Sequence, residues 1–183
     1  MRNLLTALLA VCFSLPLVGD EKKKLFESTK ANAVRGDASA QFKLGVMYTK
    51  GRGVLEDDKE AVKWFRKAAE QGLANAQFNL GLMHGNGRGV LEDDKEAAKW
   101  YRKAAEQGSV NAQNNLGFLY YKGEGVLEDS VTAYAWFNIA AANGQEDGKS
   151  NKPIVAKRMT PEQIAKAQDL SREMVKKNPK LLE

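Results

Sequence analysis

The chain has 183 residues, of which 28 % are charged and 43 % are hydrophobic, and its formal net charge is +5. This balance excludes an intrinsically disordered chain and is typical of one globular domain or one short repeat array. No run of Lys or Arg is longer than the three lysines at 22–24, so we expect no nucleic-acid partner and interpret that run as a solvated helix start.

The first 19 residues have the organisation of an export signal. Arg2 gives a positive start, residues 4–17 are almost wholly apolar, and charge returns at Asp20. Such a run fits the core of a signal peptide and is short for a membrane span, which needs about 20 residues. We predict cleavage after Gly19 and a periplasmic or secreted protein of bacteria. The alternative is an uncleaved anchor, the one case in which we expect a membrane contact.

The only cysteine, Cys12, lies inside this signal segment. The residues before it resemble a lipoprotein box superficially, but a small residue is expected where Val11 stands. Once the signal is removed, the chain has no cysteine. We therefore expect no disulfide, no thiol nucleophile and no thiolate metal site.

A period of 36 residues governs the chain from about residue 37 to residue 144. Four sets of residues recur with this spacing: the glycines at 36, 72, 108 and 144, the tryptophans at 64, 100 and 136, the glutamines at 41, 77 and 113, and the Leu-Gly pairs ending at 45, 81 and 117. A fixed period in this range indicates a stack of supersecondary units. The predicted repeats are 37–72, 73–108 and 109–144.

Each unit is predicted to be a pair of helices. The first helix runs from about Ala38 to Tyr48, with positions 40, 44, 47 and 48 forming one apolar stripe. A glycine-rich turn follows. The second helix starts at Asp57, an N-cap that we expect to form a capping box with Glu60, and Asp93 repeats it with Glu96. Stacking three such pairs buries a continuous core, because one pair cannot bury its own apolar faces.

The two ends of the array are predicted to be caps. Residues 20–36 align with a second helix alone, with Leu25 at the position of Ala61. Residues 145–183 leave the sequence period. Thr160, followed by proline and by Gln163, is a strong helix start, which predicts a final helix at about 161–177. Pro153 is expected to divide the stretch before it into a short helix or a turn.

The repeated residues resemble those of the Sel-1-like repeat family, relatives of the tetratricopeptide repeat with a longer turn between the helices. The matching positions in the first unit are 40–41, 44–45, 48, 51, 53–54, 57, 61, 64, 68–69 and 72, and they recur in the next two. The resemblance implies an all-α, right-handed α-solenoid whose concave face, lined by first helices, holds a protein or peptide. It also implies an adaptor role in the bacterial envelope. A cysteine-rich branch of the family binds or hydrolyses β-lactams, but these repeats carry no cysteine.

Residues that suggest chemistry have simpler interpretations. The glycine-rich turn at 85–89 lies between two helices, unlike a phosphate-binding loop, which follows a strand. The single histidine, His84, stands where the other repeats have tyrosine, and no second histidine or serine elbow accompanies it. The tryptophans are expected to be core wedges. We predict no catalytic, metal-binding or cofactor-binding residue and no cofactor.

The predicted binding surface is the side of the first helices that faces away from the apolar stripe, at positions 39, 42, 43 and 46 of each unit. Its amides could bond a peptide backbone and its apolar groups could hold side chains. The alternative is that the apolar members pack on the next repeat and the amides are only hydrated. The predicted partner-binding residues are Phe42, Lys43, Val46, Asn75, Phe78, Asn79, Leu82, Asn111, Asn114, Asn115 and Phe118, beside Ser39.

The sequence thus predicts a non-enzymatic scaffold that binds an extended segment of a partner protein. The rival hypothesis is a hydrolase acting on β-lactams or cell-wall fragments, which would need a nucleophile and a base converging in one pocket.

Overall fold

The computed structural model of the protein describes residues 18–182. Their regular structure consists of nine α-helices, α1 to α9, and a closing 3-10 turn. In chain order the helices are Val18–Val34, Ala38–Thr49, Asp58–Glu70, Ala74–Gly85, Asp94–Ala105, Val110–Lys122, Ser130–Ala142, Glu146–Ala156 and Pro161–Lys177, and the turn is Pro179–Leu182. The core of the predicted export signal and Cys12 lie outside the described residues.

The helices form the predicted stack of pairs. From α1 to α8 each helix packs on the next one in the chain, and α9 packs on α7. The three repeats are the pairs α2–α3, α4–α5 and α6–α7, with α1 as the N-terminal cap and α8 and α9 as the C-terminal caps. The expected all-α solenoid is therefore confirmed. None of the helices between residues 18 and 182 is both long and apolar enough to span a membrane.

One aspartate closes the turn between the two helices of each repeat. The carboxylate of Asp57 accepts the Glu60 N–H at 3.0 Å, as an N-cap does, and Asp93 and Asp129 repeat this bond. The reciprocal boxes predicted with Glu60 and Glu96 are wrong. The N–H of each capping aspartate already donates to a carbonyl of the first helix, so each glutamate pairs with a lysine three residues on.

Each first helix carries a glycine on which an aromatic ring of the second helix lies. A Cβ on Gly81 would stand 2.6 Å from the Tyr101 ring, and the glycines at 45 and 117 meet Phe65 and Phe137 in the same way. The leucine before each glycine is fully buried. The recurring Leu-Gly pair therefore allows the two helices of a repeat to approach closely.

The turn of each repeat packs on the start of the preceding second helix. Gly89 has a φ of +70°, and a Cβ there would lie 2.3 Å from the Asp58 carbonyl oxygen, so only glycine fits. The equivalent contacts are Gly53 against Lys22 and Gly125 against Asp94. This packing places the side chains of turn residues 52, 88 and 124 next to residues 22, 58 and 94.

Buried glutamines tie neighbouring repeats together. Gln77 is 5 % exposed; its amide nitrogen donates to the Ala69 carbonyl at 3.1 Å, and its oxygen accepts from Gln107 at 2.7 Å. Gln41 and Gln113 make the same donor contact with the repeat before them. A buried amide needs such partners, so this network fixes the spacing between helices.

The C-terminal region continues the stack as a further helix pair. α8 begins at Glu146, which is 36 residues after the start of α6 at Val110 (146 − 110). The expectation that Pro153 divides this stretch is wrong, because α8 continues through it to Ala156. Pro153 lies near the helix end and frees only the carbonyl of Lys149, an exposed residue that water can reach. The capping box of Thr160 and Gln163 at the start of α9 is confirmed.

The last residues cover the outer side of α7. Leu181 is 2 % exposed and packs in one cluster with Trp136 and Ile139. Its carbonyl accepts hydrogen bonds from Gln113 at 2.9 Å and from Asn143 at 2.6 Å. The tail thus satisfies polar groups of the third repeat while burying its apolar surface.

Candidate partner-binding surface

Four of the apolar residues predicted for the binding surface are half-buried against neighbouring helices. Phe42 and Val46 pack on the core cluster built mainly by α3 and α4, and Phe78 and Leu82 pack on the one built mainly by α5 and α6. The ring centroids of Phe42 and Phe65 lie 5.8 Å apart, as do those of Phe78 and Tyr101, so each ring contacts the second helix of its own repeat. These side chains therefore contribute to the core and offer a partner only their outer edges.

Phe118 is the predicted apolar residue most open to solvent. It is 42 % exposed, and the Lys122 ammonium lies 5.6 Å from its ring centroid. Phe118 stands on α6, beside the groove that separates α6 from α4. An exposed aromatic ring at the margin of a groove is the kind of anchor that protein interfaces use.

The predicted amides are divided between solvent and the protein itself. Asn79 donates to the Asn75 carbonyl at 2.8 Å, and Asn115 is half-buried near Tyr101. Burial raises the pKa of the Tyr101 phenol, an effect that the nearby Asn115 amide partly offsets. Asn75 is exposed. All three asparagines lie on first helices, Asn75 and Asn79 on α4 and Asn115 on α6.

Two predicted residues, Asn111 and Asn114, are held by the C-terminal cap. Gln145 donates to Asn111 at 2.7 Å, and Asn151 donates to Asn114 at 3.1 Å. Nothing in the sequence pattern indicates these bonds, because the position of the cap beside α6 is a property of the fold. Asn111 stays exposed, but its amide oxygen and that of Asn114 are already engaged, so the part of the predicted surface that the cap does not contact runs from α2 to Phe118 on α6.

A groove of about 210 Å³ lies between α4 and α6, with α5 as its floor. We call it the inner groove. Tyr101 and Ala97 form its base, and Asn115 and Phe118 one wall. Two carboxylate residues, Asp94 and Glu124, also line it, and the remaining lining residues are Leu82, Gly85, Asn86 and Leu119.

A larger cleft of about 580 Å³ opens between α1 and α2, and we call it the terminal cleft. Lys43, predicted from sequence, lies on its wall together with Phe42 and Val46. Leu25 is 60 % exposed there, since no first helix precedes α1 within the described residues. The sequence analysis did not predict that Lys22, Leu25 and Arg52 line a cleft. Adding two repeat periods, 72 residues, to their numbers gives Asp94, Ala97 and Glu124, which line the inner groove.

A second exposed feature lies on the turns, away from the first-helix face. Leu55, Leu91 and Leu127 occupy the same position of successive repeats and are 88 %, 91 % and 90 % exposed. We call these three residues the turn leucines. Substitutions of the turn leucines can therefore serve as a control for substitutions on the predicted binding surface.

The residues that suggested chemistry are accounted for by packing. His84 is 7 % exposed, and its Nε2 lies 3.3 Å from the Arg66 guanidinium. Burial, followed by the charge of Arg66, lowers the pKa of His84. Among the described residues no hydrogen bond joins His84 to a serine or a carboxylate, and no group of three or more His, Cys, Asp or Glu side chains could hold a metal ion. Trp100 and Trp136 are buried, and Trp64 is half-buried.

A stack of helix pairs with a grooved face defines a helical repeat protein of the α-solenoid class. The profile of the Sel1 repeat matches residues 38–73, 74–109 and 110–145, which together make up more than half of the chain. The chain belongs to the Sel1 repeat family. Repeats of this family typically mediate contacts between proteins.

The solved structures that are similar to this chain include the following two. A protective antigen of uropathogenic Escherichia coli strains, with an SLR fold, is 41 % identical with a TM-score of 0.80. The match covers 88 % of this chain but only 35 % of that one, so this chain spans about a third of its length. A Sel1 repeat protein of Oxalobacter formigenes is 44 % identical with a TM-score of 0.65, over 71 % of this chain and 98 % of that one. No curated protein sequence matches the chain.

Proposed function

We propose that the protein is a non-enzymatic scaffold of the bacterial envelope, where it binds an extended segment of a partner protein along its first-helix face. The observation that carries the proposal is the terminal cleft and the inner groove, which occupy equivalent positions two repeats apart on that face. Both combine apolar floors with polar or charged margins, which is the usual make-up of a peptide-binding surface.

The composition of the face supports a peptide partner. Phe118 offers an exposed aromatic ring, while Asn75 and Asn79 offer amide groups that can pair with a peptide main chain. Lys43 adds an exposed cation on the wall of the terminal cleft. Amide groups beside apolar surface bind an extended chain without demanding one sequence, which suits an adaptor.

The envelope location rests on the sequence of the first 19 residues. The positive start, the apolar residues 4–17 and the small Gly19 are the features that direct export. Processing of the protein in its own source organism tests this proposal: N-terminal sequencing of the exported protein should begin at Asp20. An unprocessed protein in the membrane fraction would favour the anchor, and a cytoplasmic one would contradict export.

Partner capture tests the binding surface. Residues 20–183 serve as bait for an envelope extract, beside a variant in which Lys43, Asn79 and Asn115 are changed to alanine. The variant should lose the partner, because these three side chains face the cleft, the groove and the surface between them. Circular dichroism and a melting curve must show that the variant is folded, since Asn115 is half-buried beside Tyr101.

A second variant, with the three turn leucines changed to serine, is the matched control. It alters three exposed residues at a different place on the same repeats. The proposal expects it to capture the partner as the wild type does. Loss of the partner by the leucine variant alone, or equal capture by all three proteins, would contradict binding on the first-helix face.

A further inference from the structure

The terminal cleft and the inner groove are the same structural site, repeated after two periods. Seven of the residues lining the terminal cleft reappear in the inner groove when 72 is added to their numbers. The equivalent pairs are Lys22 and Asp94, Leu25 and Ala97, Thr29 and Tyr101, Lys43 and Asn115, Val46 and Phe118, Met47 and Leu119, and Arg52 and Glu124.

The charges at this site change sign along the stack. At the N-terminal end Lys22 and Arg52 are both cations, with Lys43 as a third, and no carboxylate lines the terminal cleft. At the inner groove the equivalent residues, Asp94 and Glu124, are both anions. At both sites the two paired positions therefore carry like charges, which an oppositely charged ligand group would neutralise.

The repeat between them shows how close the two charged positions are. There the equivalent residues are Asp58 and Arg88, which form a bidentate ion pair with distances of 3.0 and 2.9 Å. The turn glycines place the chain at the same close approach in all three cases. The first-helix face therefore runs from a cationic site through a neutral ion pair to an anionic site.

The size of the two sites also differs, for reasons visible in the side chains. Thr29 stands in the terminal cleft where Tyr101 fills the inner groove, and Val46 stands where Phe118 does. The terminal cleft is accordingly the larger, at about 580 Å³ against about 210 Å³. Its apolar floor can take a large aliphatic or aromatic side chain next to the three cations.

We propose that this face selects a charge-polarised peptide segment, whose acidic end with a large apolar side chain lies in the terminal cleft and whose basic end lies at the inner groove. The inference rests on the proposed function and adds the chemistry of the partner. Each repeat adds one layer of helices about 10 Å thick, so two repeats span about 20 Å, which about six residues of extended chain cover.

Charge complementarity argues against the other occupants of the terminal cleft. Residues 1–17 of the chain itself carry Arg2 and no carboxylate, so they would bring a further positive charge to a cationic cleft. A surface of anionic lipids would suit the cations at the terminal cleft, but the same face carries Asp94 and Glu124 two repeats away. A peptide with separated charges satisfies both ends.

Synthetic peptides provide the test. The probe is a fluorescein-labelled ten-residue peptide with two glutamates at one end, six leucine and asparagine residues, and two lysines at the other end. A second probe has lysine in place of the glutamates. Fluorescence anisotropy at low salt measures the affinity of each probe for the wild type and for the double variant Lys22→Glu, Arg52→Glu.

The wild type should bind the first probe about tenfold more tightly than the second, because two charge contacts are reversed. The double variant should show the opposite preference, which a merely destabilised protein would not. The preference should fade towards 1 M salt, where the screening length is about 3 Å. The matched control reverses Lys23 and Lys24, which are exposed on α1 outside the cleft lining and change the net charge equally.

Three results would overturn the inference: equal affinity of the wild type for both probes, the same switch of preference in the control, or no binding of the first probe by about 1 mM. Binding of phosphatidylglycerol vesicles in place of peptide would assign the cleft to a membrane surface and would likewise overturn it. Partner capture that depends on the first-helix face would leave the scaffold function standing in each of these cases, so the two failures are distinguishable.

Discussion

The second helices of the second and third repeats, α5 and α7, occupy equivalent places in the stack. The outer surface of α5 is exposed, whereas that of α7 is buried. On α5 the outer positions include Lys99 and Lys103, both exposed, and the Lys103 ammonium lies 4.5 Å from the Trp100 ring centroid. On α7 the equivalent residues are Ala135 and Ile139, which are 0 % and 1 % exposed. The difference follows from what covers each helix: α9 and the tail lie on α7, and solvent lies on α5.

This comparison separates two kinds of position within the repeat. Contacts inside a repeat and between neighbouring repeats recur every 36 residues, as the buried leucine–glycine pairs and glutamines show. Outer positions are free to vary, because the neighbour that covers them differs from one repeat to the next. The effect of a substitution at an outer position on stability should therefore depend on which neighbouring segment buries that position, and not on the position's number within the repeat.

Exchanging the residue types at the equivalent positions 103 on α5 and 139 on α7 should give the largest difference in stability. Ile139→Lys places a cation among Trp136 and Leu181 with no acid partner in that cluster, so we expect a loss of about 3 kcal/mol in unfolding free energy. The matched change Lys103→Ile should cost less than about 1 kcal/mol, since it removes only a cation–π contact. Urea unfolding of both variants checks this, and similar losses would contradict the assignment of the cover.

Removing the cover itself should have the next largest effect. Leu181→Ala deletes a side chain that is 2 % exposed, and we expect a loss of about 2–3 kcal/mol. Leu182→Ala is the control, because Leu182 is 45 % exposed and its loss should be within about 0.5 kcal/mol. Equal midpoints in a urea titration would show that the tail does not hold the third repeat.

Substitutions at equivalent positions inside the second and third repeats should have similar effects on stability. Gly81→Ala and Gly117→Ala each force a Cβ to within 3 Å of an aromatic ring, so we expect similar losses of about 1–3 kcal/mol. Gly85→Ala provides the contrast, because its Cβ would meet nothing closer than 3.5 Å. A much larger loss at one of the two ring-facing glycines would show that the repeats are not equivalent inside.

A smaller, pH-dependent difference should separate the same two repeats. The guanidinium of Arg66 faces His84 in the second repeat, whereas Arg102 donates to the hydroxyl of Tyr120 at 2.6 Å in the third. The pKa of His84 is lowered in the folded protein, by burial first and by Arg66 next, while Glu96 and Asp93 oppose the shift and Lys99 adds to it.

The unfolded chain therefore binds the proton of His84 more readily below its ordinary pKa of 6.5, and stability falls as the pH decreases through that value. His84→Tyr should reduce this fall between pH 7.5 and 5, measured by urea unfolding at each pH. A variant with the same pH profile as the wild type would remove His84 as the cause.

The smallest expected effect is a gain. Glu124→Arg would place an arginine beside Asp94 as Arg88 stands beside Asp58, and we expect about 0.5 kcal/mol of added stability. The gain should disappear at high salt, because the pair is partly exposed. A loss of stability in the thermal midpoint would show that the turns of the two repeats are not equivalent.

The sequence predicted the repeats, the helix pairs and the caps because these depend on contacts that recur with the period. It did not predict that Gln145 and Asn151 of the C-terminal cap bond to Asn111 and Asn114, or that Leu181 bonds to Gln113, since these contacts join residues 34 or more positions apart outside the periodic pattern. Two cations of the terminal cleft, Lys22 and Arg52, were missed for a related reason. Lys22 lies on a cap, and its approach to the next turn is apparent only once the helices are stacked.

Site-specific photo-crosslinking in the source organism tests the central claim, that a partner protein binds on the first-helix face, most directly. A photoreactive phenylalanine analogue replaces Phe118, which is 42 % exposed beside the inner groove, or Leu91, which is 91 % exposed on a turn. The account predicts one discrete crosslinked envelope protein from position 118 and none from position 91. A crosslink from position 91 alone, or none from position 118, would contradict it.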